Sequence, residues 1–425
     1  VDTLPSQYKV FSLPEGSPSG SALEPFPRWS QIAKELLANH INQRLPLMSL
    51  FNGEPTMEEQ NVYQGLADHL NNLGMGYPVR DTLLEILKEN LSPSEAEIAL
   101  ALPTGVIPLS TISVDDIAGR VAMPRQELEA ALERLTQKGA LYVGKTPAGE
   151  KGYALLQVGF GFPQTFFWKG EDTPHAQKMA LLVAKYFNRQ VTSEAYGSQS
   201  KPYRYIPVGK AIKPDLQAVF PVQLMEQVIA NARRIAVAHC PCRVSYRLLG
   251  RGCEHPTEVC MKFDELADFV IDQGLARELT KEEALDVIRV SEEAGLVHFV
   301  DNAEGEIKHN CNCCGCACWN VGNIRRRKIP RDSIMATYFM RETDSEECSG
   351  CGECATICPV EAVRMSAGVP IIDCDWCIGC GVCATVCPTN AVVLNLRVDK
   401  IGVTPAATFR ELHHRILDEK KSKNL

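Results

Sequence analysis

The chain has 425 residues, of which 45% are hydrophobic and 23% charged, and its net charge is -8. That length suits two to four domains with ordinary cores, and the acidic balance argues against a generic polyanion binder. No apolar run is long enough to predict a membrane span, and residues 1–20 lack the basic start and apolar middle of a secretory signal.

Residues 1–30 are rich in Pro, Ser and Gly and read as an extended arm. Residues 31–160 read as a helical region, with Leu66, Leu70 and Leu73, then Leu83, Leu84 and Leu87, at helical spacing. Within it, residues 91–160 are similar to a winged-helix unit. Ser92, Pro93 and Glu95 fit an N-cap, a first-turn proline and a capping-box acid. Ser113 caps a second helix. Pro124 opens a third, with Leu128, Ala131, Leu132 and Leu135 at core spacing. Two short strands around a Pro-Gly turn then make the wing. A DNA reader needs net positive charge, yet residues 110–156 hold six Lys/Arg against six Asp/Glu. Nucleic acid is therefore disfavoured as a partner.

Residues 161–238 read as a helical and Pro-rich connector. The aromatics Phe160, Phe162, Phe166, Phe167 and Trp168 belong to a core, and residues 222–238 form an amphipathic helix.

All 18 cysteines lie within residues 240–387. Many stand as C-x-x-C, which in a chain of this size points to metal or cluster ligands in a reducing compartment rather than to a disulfide framework. Residues 239–330 form a cysteine-rich, α-helical domain. Its thiols fall in two groups, Cys240, Cys242, Cys253 and Cys260, then Cys311, Cys313, Cys314, Cys316 and Cys318. Structural zinc and one or two iron–sulfur clusters both fit, since thiolates attract either metal. The adjacent Cys313 and Cys314 point apart in an extended backbone and can serve two sites or one unusual non-cubane cluster. On the zinc reading His239, His255 or His309 can substitute for a thiolate, but with enough cysteines present without them they read first as supporting or surface groups. Between the thiol groups lie two amphipathic helices, the second opened by Thr280 and Glu283. Arg325, Arg326, Arg327 and Lys328 make either a docking patch or a solvated helix face.

Residues 347–365 and 376–394 repeat at an offset of 29. Each half carries C-x2-C-x2-C-x3-C-P. Glycines between the thiols let backbone N–H groups approach a cluster. The motif resembles the bacterial two-cluster ferredoxins over residues 347–394. That resemblance implies two [4Fe–4S] clusters, one on Cys348, Cys351, Cys354 and Cys387, the other on Cys377, Cys380, Cys383 and Cys358. Cys374 falls outside the pattern and reads as a spare ligand or, in preference, a buried thiol. The domain spans residues 341–398, with eight Asp/Glu against three Arg. Residues 399–425 form a charged helical tail.

CPCR at Cys240–Arg243, GLVH at Gly295–His298 and CNCC-x-C at Cys311–Cys316 together resemble a group of anaerobe proteins that carry these stretches ahead of a two-cluster ferredoxin. The resemblance covers residues 200–395 and implies an electron-transfer component beside a larger oxidoreductase.

The fold expected is α+β and multidomain, with a mostly helical N-terminal part, a cysteine-rich helical domain and a ferredoxin-like two-cluster domain. No Walker loop, complete G-x-G-x-x-G or catalytic constellation is readable, so catalytic residues stay unassigned. The function expected is single-electron relay in the cytoplasm, as subunit or donor of a larger oxidoreductase, through the two [4Fe–4S] clusters and the upstream clusters or zinc. The alternatives are a redox-responsive winged-helix regulator and a reductase with a catalytic cluster on the upstream cysteines.

Overall fold

The computed structural model describes residues 57–212, 224–327 and 329–423, all within one contact unit from Pro55 to Leu425. The N-terminal arm, residues 31–56 and part of the Pro-rich passage lie outside the described residues. Helices Met57–Asn71 and Asp81–Asn90 bury Leu66, Leu70, Leu83 and Leu87. Helix Pro93–Leu100 starts on a closed capping box, in which the Glu95 N–H donates to Ser92 Oγ (3.3 Å) and the Ser92 N–H to Glu95 Oε2 (3.0 Å). Two orphan donors at the helix start are thereby satisfied.

Next come β1 (Ile112–Ser113), helices Val114–Ala118 and Arg125–Gln137, β2 (Leu141–Lys145) and β3 (Lys151–Leu155). The strands make a small sheet in the order β1-β3-β2. Leu128, Ala131, Leu132 and Leu135 seat the second helix in the core.

The centre of the molecule is a sheet that the sequence pattern does not announce. Its strands are drawn from β4 (Tyr203–Ile206), β5 (Ile235–His239), β6 (Glu258–Phe263), β7 (Arg277–Leu279), β8 (Val297–Asp301), β10 (His309–Cys313) and β11 (Met335–Ala336), with β9 (Ala303–Gly305) lying outside it. The order is β11-β4-β8-β10-β6-β5-β7, antiparallel except for the parallel β11–β4 pair. Residues 239–330, expected as an α-helical domain, are thus built on a sheet, and the helix expected over 222–238 ends at Asn231 and gives way to β5. Short strands covered on both faces lack the alternation that marks a half-exposed strand. Helices Asp264–Asp272 and Lys281–Glu293 do form, the second with the Thr280–Glu283 capping box.

The period of two along each strand sorts the side chains between faces. On one face Ile206, Val237, Met261, Phe263 and Val300 pack with Met225, Val228, Ile229, Ala284 and Ile288 of helices Met225–Asn231 and Lys281–Glu293. The other face carries Tyr203 and Tyr205 from β4, Phe299 from β8, His309, Cys311 and Cys313 from β10, and Cys260 and Lys262 from β6. Register aligns Cys311 with Cys260 and His309 with Lys262. Helix Pro241–Leu248 and the turn Gln164–Phe167 pack over this second face.

Residues 339–396 repeat structurally as well as in sequence. β12 (Phe339–Thr343) pairs with β15 (Val392–Leu396), and β13 (Val363–Ser366) with β14 (Val369–Ile372). The pairs Thr343↔Val392 and Ile372↔Val363 occupy equivalent places at the same offset of 29. Helices Glu353–Thr356 and Val382–Thr385 are likewise equivalent. The tail forms β16 (Ala406–Thr408), parallel to β9, and helix Phe409–Lys423. No helix among the described residues is long and apolar enough to cross a membrane.

Candidate metal centres

The ferredoxin-type repeat builds its thiol loops from glycines. Gly350 (φ 71°) and Gly352 (φ 84°) in one half match Gly379 (φ 61°) and Gly381 (φ 73°) in the other. A left-handed backbone at alternate positions lets three closely spaced cysteines turn inward together, at little cost when the residue is glycine. Cys358, Cys377, Cys380 and Cys383 line one common void with Gly379, Gly381 and Arg341. Burial pushes the Cys383 thiol up to about 12, and Cys377 and Cys380 upward too. Held as thiolates, four such groups in so dry a cage would need a cationic metal to offset their charge. The other set is more open, with Cys354 buried, Cys348 and Cys387 half-buried and Cys351 exposed. Cys374 is exposed, not buried as expected, because it sits in the turn that leads out of β14.

Arg341 on β12 is buried between the two sets. Its Nη2 donates to Cys354 Sγ (3.4 Å), and it also lines the void of the second set.

The nine upstream thiols divide six and three. Cys240 and Cys242 at the start of helix Pro241–Leu248, Cys260 on β6, Cys311 and Cys313 on β10, and Cys318 beyond it all line one cavity of about 50 Å³. That is more than a single water fills. Trp168, Phe187 and Trp319 close its walls, and Lys262 Nζ donates to Cys260 Sγ (2.9 Å) while lying 4.8 Å from the Trp168 ring centre. Hydrogen bonds from Cys260 and Cys313 hold the Cys311 thiol down to about 5 and push their own upward. Arg243, wholly buried, donates to the Asn312 carbonyl (3.1 Å) beside the same thiols.

Cys253, Cys314 and Cys316 stand apart from the cavity and meet His255. The four ligand atoms lie within 4.8 Å of one another. Adjacent Cys313 and Cys314 do face two different groups. Of the three histidines offered as zinc substitutes, His255 is the one that lies with these thiols, through the pairing of Cys253-x-His255 with Cys314-x-Cys316. His239 bonds Thr257 Oγ1 (3.0 Å), and His309 faces Asp301 Oδ1 (3.1 Å). Of the basic run, Arg325 pairs with Glu361 (2.7 Å) and Arg326 donates to the carbonyls of Gly315 (3.0 Å) and Cys318 (2.9 Å), while Lys328 and the Arg327 side chain lie outside the described residues.

The repeat and the upstream groups are neighbours. A Cβ on Gly315 would stand 1.9 Å from the Pro359 carbonyl oxygen, so the loop between Cys314 and Cys316 rests directly on the residue after Cys358. Just beyond β4, the Val208 N–H donates to the Cys380 carbonyl (3.0 Å). Tyr205 of β4 is buried, and burial raises its hydroxyl well above the usual tyrosine range, with nearby Cys318, Cys380 and Cys313 adding to it.

Residues 347–392 match the 4Fe-4S dicluster domain family. No curated protein and no solved structure matches the chain.

Proposed function

We propose that the chain conducts single electrons between a surface-exposed cluster and a buried upstream centre. Cys348, Cys351, Cys354 and Cys387 would hold one [4Fe–4S] cluster, and Cys377, Cys380, Cys383 and Cys358 the other. The six thiols of the cavity would hold further iron–sulfur metal. When bound, such clusters supply reversible one-electron chemistry. The chain's own residues set direction and insulation. Exposed Cys351 offers a face to a redox partner, with the acidic balance of residues 341–398 favouring a basic one. Aromatic walls exclude water at the inner end. Lys262 and Arg243 offset the charge of the six thiolates.

The observation that carries this reading is the position of β4. The strand lines the six-thiol cavity with Tyr203, and the chain just beyond it docks Val208 on the Cys380 carbonyl. The decisive measurement is anaerobic iron and labile sulfide per chain, followed by stepwise reduction monitored by electron paramagnetic resonance. More than eight irons, with magnetic coupling between the repeat's clusters and a further centre, is the expected result. Eight irons and no third centre would overturn it.

The helical unit over residues 91–160 serves this reading as a winged-helix docking module. Its cations are largely paired, Arg125 with Asp115 and Glu129, Lys138 with Glu95 and Lys151 with Glu133. Tyr142 of the hairpin packs edge-on against Phe269 (5.2 Å), so the hairpin leans on helix Asp264–Asp272 instead of reaching outward. Both features disfavour the DNA-reading regulator.

A second reading has one specific observation behind it. Tyr203 lines the six-thiol cavity with its buried hydroxyl unpartnered, close to Lys262 and His309. A proton source beside a reducible centre suits reduction of a small substrate. Retention of substrate reduction in Tyr203→Phe would count against that role.

A further inference from the structure

We infer that Cys253, His255, Cys314 and Cys316 form a mononuclear, four-coordinate zinc site, separate from every iron–sulfur centre of the chain and redox-silent. The argument begins with size. Cys253 Sγ stands 3.9 Å from Cys314 Sγ, and Cys316 Sγ stands 3.7 Å from His255 Nδ1. A tetrahedral zinc with ordinary bond lengths sets its sulfur–sulfur edges at about 3.8 Å and its sulfur–nitrogen edges at about 3.6 Å. A four-iron cube attaches each ligand to a different iron and spreads the ligand atoms well beyond such contact. At 3.9 Å the two sulfurs are also far outside disulfide bonding, which needs about 2.05 Å. The four atoms therefore converge on a single ion.

The donor set points to the same metal. Three thiolates and one imidazole make a closed set of four, the pattern of structural zinc, with no ligand position left for substrate. The surroundings are built to hold this set in place. Arg247 donates to the carbonyls of Cys253 (2.8 Å) and His255 (2.7 Å), fixing one ligand pair. Arg326 donates to the carbonyls of Gly315 and Cys318 and lies 5.2 Å from the Tyr246 ring, fixing the other. The Ala317 N–H donates to Cys314 Sγ (3.4 Å), as backbone amides do to metal-bound thiolates. Zinc with three thiolates carries one net negative charge, and the two guanidinium groups lie where they offset it.

The site's place in the fold gives it a task. It ties the loop after helix Pro241–Leu248 to the turn that follows β10. That turn runs from Cys313, the last residue of β10, to Cys318, both of which line the six-thiol cavity, and rests Gly315 on Pro359. A metal that takes no electrons clips together the two regions between which electrons pass.

The test uses the full chain, purified without oxygen, with zinc and iron counted on the same preparation and the zinc coordination read by X-ray absorption at the zinc edge. The expected result is one zinc per chain with three sulfur and one nitrogen neighbours. Cys253→Ser should lose the zinc and keep its iron. His255→Cys should keep the zinc and convert its shell to four sulfurs, which guards against a variant that merely misfolds. Absence of zinc from the unaltered chain, loss of iron instead of zinc in Cys253→Ser, or an unchanged zinc shell in His255→Cys would each overturn the assignment. The iron count of the unaltered chain, read independently, bears on the electron-transfer reading alone.

Discussion

The ferredoxin-type repeat and the upstream cysteine region hold comparable numbers of thiols but encode them differently. In the repeat, each half sets three thiols in one tight loop and a fourth at the next turn, so C-x2-C-x2-C-x3-C-P states the arrangement almost by itself. Upstream, the six thiols of the cavity come from two strands, a helix start and a turn. Nothing in the spacing between Cys260 and Cys311 says that they meet, for only the register of β6 against β10 brings them together. A local site is written in spacing, whereas a register-built site is written in the fold and depends on it.

The strongest way to break the comparison is to remove one ligand from each kind of site. Cys351→Ser removes a ligand from a preformed loop, and the expected loss is confined to one cluster. Cys311→Ala removes the central thiol of a strand shared by both neighbours in the sheet. It is expected to empty the cavity of metal while the repeat keeps its eight irons. Iron and sulfide analysis of the two variants checks both, and equal losses would erase the distinction.

The same contrast explains what could be read in advance. The repeat, the capping boxes at Ser92 and Thr280, and the core positions from Leu128 to Leu135 all signal through neighbours within a few residues, and they stand as expected. The seven-stranded sheet was hidden because its strands are short and the stretch His309–Cys313 reads as polar. Asn310 and Asn312 of that strand are buried and bonded to the Phe299 carbonyl (3.2 Å) and the Val259 carbonyl (2.7 Å). Polar side chains satisfied across a sheet look, in sequence, like a loop. The sequence offers His255 only as one of three histidines able to stand in for a zinc thiolate, and singling it out takes the fold, because Cys253 is its neighbour in the chain but Cys314 and Cys316 are not.

Acid should separate the regions next. His413 of the tail helix is buried against Phe409 and Phe160, and burial holds it down to about 4, with Asp301 opposing and His309 and His414 adding to the depression. A histidine kept neutral by folding contributes its full stability above its unfolded value of 6.5. That contribution fades as pH falls from there toward 4, and amounts to about 3 kcal/mol in total. Hydrogen exchange at pH 7 and pH 5 should show opening around β9, β16 and the tail helix, with the repeat protected. His413→Phe should flatten the pH dependence there.

The contact between the regions is a smaller target. Because a Cβ on Gly315 would collide with backbone, Gly315→Ala is expected to cost about 1–3 kcal/mol. Chemical denaturation should report it, together with weaker magnetic coupling between the repeat and the upstream centre. An unchanged midpoint would mean that the loop relaxes freely and the two regions are not braced at this point.

The finest effect concerns Arg341, which belongs to the repeat yet breaks its symmetry. Its counterpart 29 residues on is Pro370, which carries no charge. Arg341 donates to Cys354 and borders the void of the other four thiols, so it stands beside both cluster sites at once. Reduction adds a negative charge to a cluster, and a buried cation nearby favours the reduced form, the more so because little water is present to screen it. Arg341→Leu should lower both reduction potentials by some tens of millivolts, with the irons retained. Arg341→Lys, which keeps the charge but loses the planar fork, should restore most of that shift. A potentiometric titration that finds only one cluster displaced would place the guanidinium's influence on one side, and the exposed and buried clusters would then be tuned by different residues.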